Sequence, residues 1–166
     1  MRISRAEEYF VGCARPGFQG RIKMGFDKKG RLLAVDLYIV QENGPDTGFN
    51  DFFYAADAVS MVYTPGSMRT PGIPVNTNTP PRVPQRGPGQ NQIACVVEPL
   101  LDKAAAELGI SRLDIRTINS PDNGTLYGPK KSKVTSAYLK EALELGAKKF
   151  DWEERKKLSG KRNGSK

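Results

Sequence analysis

The residues of this chain best suited to chemistry are Gln85-Arg86-Gly87-Pro88-Gly89, followed one turn later by Gln92. Two glycines flank a proline where an irregular, Pro-rich stretch gives way to a helical pattern. Glycine has no β-carbon, so its backbone can come close to a ligand. The first amides of a helix lack intrahelical acceptors and carry partial positive charge. With the Arg86 guanidinium beside them, they make a ready anion site. The Gln92 side chain can donate and accept at once. A plain connector that caps a helix has the same composition, and a solvated helix residue would also read as Gln92 does, so the local pattern leaves both readings open.

The elements that must position this loop can be read from periodicity. Residues 21–26 alternate polar and apolar as a half-buried strand does, Asp27-Lys28-Lys29-Gly30 is a turn, and residues 31–40 return as a second strand. The apolar content of that second strand predicts burial on both faces at its centre. Residues 41–52 read as irregular, and 53–62 as a short helix or a strand. Pro65, Pro71, Pro74, Pro80, Pro81, Pro84 and Pro88 predict an extended region over 65–88. From Gln90 to Leu108 the apolar residues fall at helical spacing, with Gly109 as a C-terminal cap. Pro99 within that run predicts a kink or a later helix start. Ser111 and Asp114 form a capping pair for a short helix to Ile118. A polar loop over 119–133, a helix over 136–150 and a further helical piece over 152–158 complete the reading. The fold class is α+β: hairpin and sheet elements, then the Pro-rich loop, then helices.

Composition bounds what else the chain could be. Its 166 residues suffice for one domain with a real core, and 38% apolar with 27% charged residues is polar but not disordered. No apolar run approaches membrane-spanning length, and the N-terminal residues lack the apolar core of a signal peptide, which makes the cytoplasm the expected location. Cys13 and Cys95 stand far apart and there is no histidine, so the chain cannot build a zinc or iron–sulfur site by itself, and each cysteine is expected as a buried thiol. The net charge is +8; residues 148–166 hold eight Lys/Arg against three acidic residues, +5 of that total. Such a tail is usually a solvated end, and no aromatic platform or RNA-binding signature accompanies it.

The ordered set Thr77-Asn78-Thr79-Pro80, Arg86-Gly87-Pro88-Gly89 and Gln92 resembles the cofactor-loop segment of the molybdenum-binding large subunit of the xanthine dehydrogenase/aldehyde oxidase family. Asn78 precedes Arg86 by eight residues and Glu98 follows it by twelve, as in that family. The resemblance continues through Glu98-Pro99-Leu100-Leu101-Asp102-Lys103-Ala104-Ala105, Glu107-Leu108-Gly109-Ile110 and Ile115-Arg116-Thr117-Ile118-Asn119, and upstream through Gly12-Cys13-Ala14-Arg15-Pro16-Gly17. It covers most of residues 9–150.

The resemblance implies a molybdopterin-binding domain in which Gln85, Arg86, Gly87, Gly89 and Gln92 meet a molybdenum–pterin cofactor, with the dinucleotide form open and cytosine among the options. Pro88 falls where several members place an aromatic residue against substrate, and a proline cannot stack in that way. Tyr54 lies near a substrate-contacting arginine of purine-oxidising members, although a Phe52-Phe53-Tyr54 run also reads as core. The carbon monoxide-oxidising branch has a cysteine right after the arginine; Gly87 stands there, so that activity is not expected. The family hydroxylates an aldehyde or N-heterocycle with oxygen from water, using a glutamate base in a Gly-Glu-Pro motif. That motif and the family's earlier Gly-rich cofactor loop do not occur in these residues. The chain therefore resembles an internal slice of a larger subunit: residues 1–119 from the end of the first cofactor domain, and 120–166 from the start of the second. By itself it is expected to be inactive, and its partners would be the rest of the large subunit, an iron–sulfur subunit carrying [2Fe–2S] and a flavin subunit carrying FAD. Two other readings stand beside this one. One is a small basic module whose Arg69, Arg82, Arg86 and tail contact nucleic-acid phosphates; the other is a product that does not fold stably alone.

Overall fold

The long second strand is the element on which the sheet and its covering helices are hung. The computed structural model describes residues 2–46 and 48–161. After a short helix α1 (Arg5–Val11), capped by the reciprocal Ser4–Glu7 box, strand β1 (Phe18–Phe26) pairs antiparallel with β2 (Leu32–Gly44). The turn between them closes as its sequence predicts: Asp27 Oδ1 accepts from the Lys29 and Arg31 amides at 2.8 and 2.9 Å, and Gly30 takes φ 84°. On its other edge β2 pairs parallel with two short strands in succession, β3 (Ser67–Arg69) against its start and β4 (Gly72–Asn76) against its end.

Three helices cover one face of this sheet. They are α2 (Asp51–Tyr63), α3 (Gln90–Leu108) and α4 (Arg112–Asn119). Leu32, Val35, Leu37 and Ile39 of β2 meet Phe52, Ala55 and Val59 of α2, Ile93, Val97, Leu101 and Ala105 of α3, and Ile115 of α4 in one core. Val35 to Asn43 alternate buried and half-buried, so β2 is buried on one face rather than on both. The other face carries Asp36, Tyr38 and Val40, which stay half-exposed because the helices pack only on the first.

The region read as irregular after residue 40 is more ordered than its composition suggests. β2 continues to Gly44, and residues 51–63 are a helix. The reason is long-range: fully buried Gln41 Oε1 accepts the Phe52 amide at 3.0 Å, doing for α2 the work that no side chain at Asn50 does. The Pro-rich region does hold extended structure, in β3 and β4.

Helix α3 runs without a break from Gln90 through Pro99 to Leu108, not from a later start. Pro99 lies on the exposed side, and so does Cys95, whose carbonyl the proline leaves without its helical donor. Water can serve that carbonyl, which is why the helix tolerates the ring. Gly109 ends α3 at φ 69°, and Ser111 Oγ accepts the Asp114 amide at 2.9 Å to start α4. Arg116 of α4 bonds Glu98 and Asp102 of α3, and Tyr63 Oη donates to Glu98, so three helices share one ionic knot.

Beyond α4 the polar stretch is not all loop: Leu126–Tyr127 and Ser132–Lys133 form a two-stranded ladder, β5 and β6. Helices α5 (Leu139–Lys149) and α6 (Trp152–Leu158) follow, and neither fully buries a residue. Residues 162–166 of the basic tail lie outside the described residues. Both cysteines are exposed free thiols, not buried ones, because Cys13 precedes the sheet and Cys95 faces away from the core side of α3. No helix among the described residues is long and apolar enough to cross a membrane.

Candidate cofactor cradle

The loop from Thr77 to Gly89 has little regular structure of its own and is fixed from outside. Glu42 of β2 is its first anchor. One carboxylate oxygen accepts from Thr79 Oγ1 at 2.7 Å, Arg82 at 2.8 Å and Thr77 Oγ1 at 3.4 Å. The Arg82 guanidinium, then the Thr79 hydroxyl, hold this carboxyl below its usual range. Backbone bonds add to the grip: the Thr77 amide donates to Gly44 O at 2.7 Å and the Arg82 amide to Asn43 O at 3.1 Å.

A second anchor comes from the segment before β1. The Ala14 amide donates to Pro81 O at 3.1 Å and the Val83 amide to Ala14 O at 3.0 Å. Arg15 then reaches across, donating to Arg86 O at 2.7 Å and Gly87 O at 2.9 Å. Gln92 Nε2 donates to Pro16 O at 3.1 Å.

The loop ends in two left-handed glycines, Gly87 at φ 75° and Gly89 at φ 68°. Gly89 is buried against the first turn of α2 and forms the N-cap of α3. Under it lies Asp51, which is fully buried. Neither Asp51 carboxyl oxygen has a hydrogen-bond partner among the described residues. Burial raises its pKa above the ordinary carboxyl value, opposed by the Gly89 amide and the Arg15 charge, which act on it without completing a hydrogen bond.

The residues singled out in the sequence are thus brought to one place. The side chains of Gln85 and Arg86 are exposed, and the Arg86 guanidinium has no partner among the described residues. Gly87 and Pro88 are half-buried. Gln92 is half-buried too, but its Oε1 is buried with no donor. Tyr54 lies on α2, one turn from the residue that Gly89 touches; it is 40% exposed and stacks on Phe49 at 5.2 Å, so it is not core. Phe52 is the core member of that run. Two residues escaped the sequence reading. Arg15 stands in a quoted segment, but only the fold shows that it reaches the loop; Asp51 gives no sequence signal at all. Beside Gln92 a cleft of about 210 Å³ opens between β1 and α3, lined by Phe18, Ile22 and Val96 among others.

Chemically the cradle is two-sided. A cation, glycine backbone and a helix start offer charge and donors, while the buried Gln92 Oε1 needs a donor from elsewhere. A pterin, which carries both acceptor and donor edges, fits that set. Among the described residues, no group of three or more His, Cys, Asp or Glu could hold a metal ion directly.

The domain is a sheet covered on one face by helices, with a glycine loop at the start of one of them. The family model for the molybdopterin cofactor-binding domain matches residues 1–120, and the chain belongs to that family. It is 30% identical over 156 residues to the putative xanthine dehydrogenase molybdenum-binding subunit of Escherichia coli K12, covering 93% of this chain and 21% of that protein. It is 29% identical over 119 residues to human aldehyde oxidase, covering 70% and 9%. In three dimensions it is similar to quinoline 2-oxidoreductase from Pseudomonas putida 86, with a TM-score of 0.81 at 22% identity over 93% of this chain and 21% of that one. Aldehyde oxidoreductase from Desulfovibrio gigas gives a TM-score of 0.79 at 22% identity over 91% and 17%. The chain spans about a fifth of the length of the first of these relatives.

Proposed function

We propose that this chain is part of a molybdenum hydroxylase large subunit and that Gln85, Arg86, Gly87, Gly89 and Gln92 hold the molybdenum–pterin cofactor. The observation that carries the reading is the conjunction at the start of α3 of two left-handed glycines with an Arg86 guanidinium and a Gln92 Oε1 that have no partner among the described residues. When bound, the group supplies a two-electron redox centre for the hydroxylation of an aldehyde or N-heterocycle with oxygen from water. The chain's own residues bind and orient: Arg86 offers charge, the glycine backbone gives close approach, and Gln92 Oε1 accepts a hydrogen bond. Pro88 and Tyr54 face the substrate side. Residues 1–119 complete a first cofactor domain and 120–166 open a second. Electrons leave through iron–sulfur and flavin groups on partner subunits or domains, the dinucleotide form of the pterin is open with cytosine among the options, and the complex is cytoplasmic.

Without the Gly-Glu-Pro base motif, the 166 residues alone turn over no substrate. The nucleic-acid reading loses support because Arg69 is paired with Asp36 and Arg82 with Glu42. The test is molybdenum and pterin analysis of the protein from its native source, with co-purifying polypeptides identified by mass. Near-stoichiometric metal with iron–sulfur and flavin partners is the expected result; their absence from well-folded protein would overturn it.

A further inference from the structure

Residues 14–16 touch the second half of the loop and the first turn of α3. Ala14 pairs with Pro81 and Val83, Arg15 with Arg86 and Gly87, and Pro16 with Gln92. The loop between those points has no ladder of its own, so this short segment, together with Glu42 at Arg82, sets its course. Arg15 is the centre of it. One guanidinium donates to two successive carbonyls, at 2.7 and 2.9 Å, a fork that the planar group provides and an ammonium does not. Asn91 closes the same turn from the helix side, its side chain donating to Arg86 O at 3.3 Å and its amide to Gly87 O at 3.4 Å.

The direction of those carbonyls has a consequence. In a trans peptide the C=O and the next N–H point in opposite directions. With Arg86 O turned to Arg15, the Gly87 N–H points away from Arg15. Pro88 has no N–H. Gly87 is thus the one donor within the Arg86–Pro88 turn that the clamp presents, and Gly87 can hold this left-handed conformation without strain.

We infer that Arg15 is a positioning residue, which locks the 86–87 peptide so that the Gly87 amide faces the cofactor. This rests on the cofactor reading above; the clamp itself does not. It acts through the loop, and its charge enters the site only indirectly.

Hydrogen exchange on the full polypeptide that carries these residues separates the two layers. In Arg15→Ala, the amides of 86, 87 and 89–91 should exchange roughly tenfold faster or more, the scale of lost charge-assisted hydrogen bonds, while 101–108 of α3 keep their protection. Arg15→Lys keeps the charge without the fork and should show the same local loosening. Should Arg15→Ala fail to fold, Arg15→Lys decides. Methylguanidinium added to Arg15→Ala should restore protection at the same amides and leave Arg15→Lys unchanged. Unaltered exchange in Arg15→Lys, or no restoration, overturns the clamp. Molybdenum and pterin per polypeptide should fall by roughly tenfold in the same variants. Full cofactor content on a loosened loop would overturn the positioning role. Wild-type protein without cofactor would overturn the previous section's reading instead, and the exchange result would stand on its own.

Discussion

Gly89 and Asp51 leave no room for a side chain between them. A β-carbon on Gly89 would fall 2.1 Å from the Asp51 carbonyl oxygen and 2.8 Å from the Ala55 amide. Both neighbours are helix backbone, so neither can move aside cheaply. Gly89 also takes φ 68°, which costs any L-residue with a β-carbon about 1–2 kcal/mol. Overpacking adds about 1–3 kcal/mol. Gly89→Ala should therefore lower stability by about 3 kcal/mol in denaturant unfolding, with an unchanged m-value. Gly146, where a β-carbon meets nothing within 4 Å, is the control: Gly146→Ala should leave stability the same or slightly higher.

A second prediction concerns Asn119, which ties the end of α4 to the β1–β2 turn. Its Oδ1 accepts the Leu32 amide at 2.7 Å, and its Nδ2 donates to Gly30 O at 2.8 Å and Ile115 O at 2.7 Å. The residue is fully buried, so Asn119→Ala strands a backbone donor and acceptor away from water. The expected loss is about 2–4 kcal/mol in chemical denaturation. Asn119→Asp should be at least as costly, since it buries a charge and removes the two donors.

Two carboxyls near the loop give stability opposite dependences on pH. The Glu42 pKa lies below its ordinary value, chiefly through Arg82, so its contribution is present at neutral pH and lost as pH falls through the depressed pKa. The Asp51 pKa lies above its ordinary value through burial, so its contribution is full in acid and lost as pH rises through the raised pKa. Asp51→Asn should raise the unfolding midpoint at neutral pH and remove that second slope. Glu42→Gln should lower the midpoint at neutral pH, with the difference shrinking as pH falls through the depressed pKa. Urea titrations across pH would show both; a lower neutral-pH midpoint in Asp51→Asn would contradict the assignment.

Arg86 and Gln92 separate binding from folding. The Arg86 side chain is exposed and has no partner among the described residues, so Arg86→Ala should leave stability within about 0.5 kcal/mol. It should nonetheless cut molybdenum and pterin content in protein isolated from its source. Gln92→Ala loses the bond to Pro16 O as well, so it should cost about 1 kcal/mol of stability in addition to cofactor. Equal cofactor content in Arg86→Ala and wild type would remove Arg86 from the site.

Local chemistry determined much of this protein before any fold was known. Alternation and the Asp27–Gly30 turn specified the hairpin; helical spacing with Gly109 and the Ser111–Asp114 pair bounded α3 and α4. Glycines around Pro88 marked the turn into α3. These are interactions between near neighbours in the chain, which sequence displays directly. What only the tertiary structure decided depends on partners far away in sequence. Residues 51–63 became helical because Gln41 caps them from a strand. β2 was buried on one face because the helices pack on only that side of the sheet. Pro99 was tolerated because it faces out. Arg15 reached Arg86, and Asp51 came to lie beneath Gly89, because the sheet and α2 carry them there. Burial and long-range hydrogen bonding are properties of the folded chain, and no local pattern contains them.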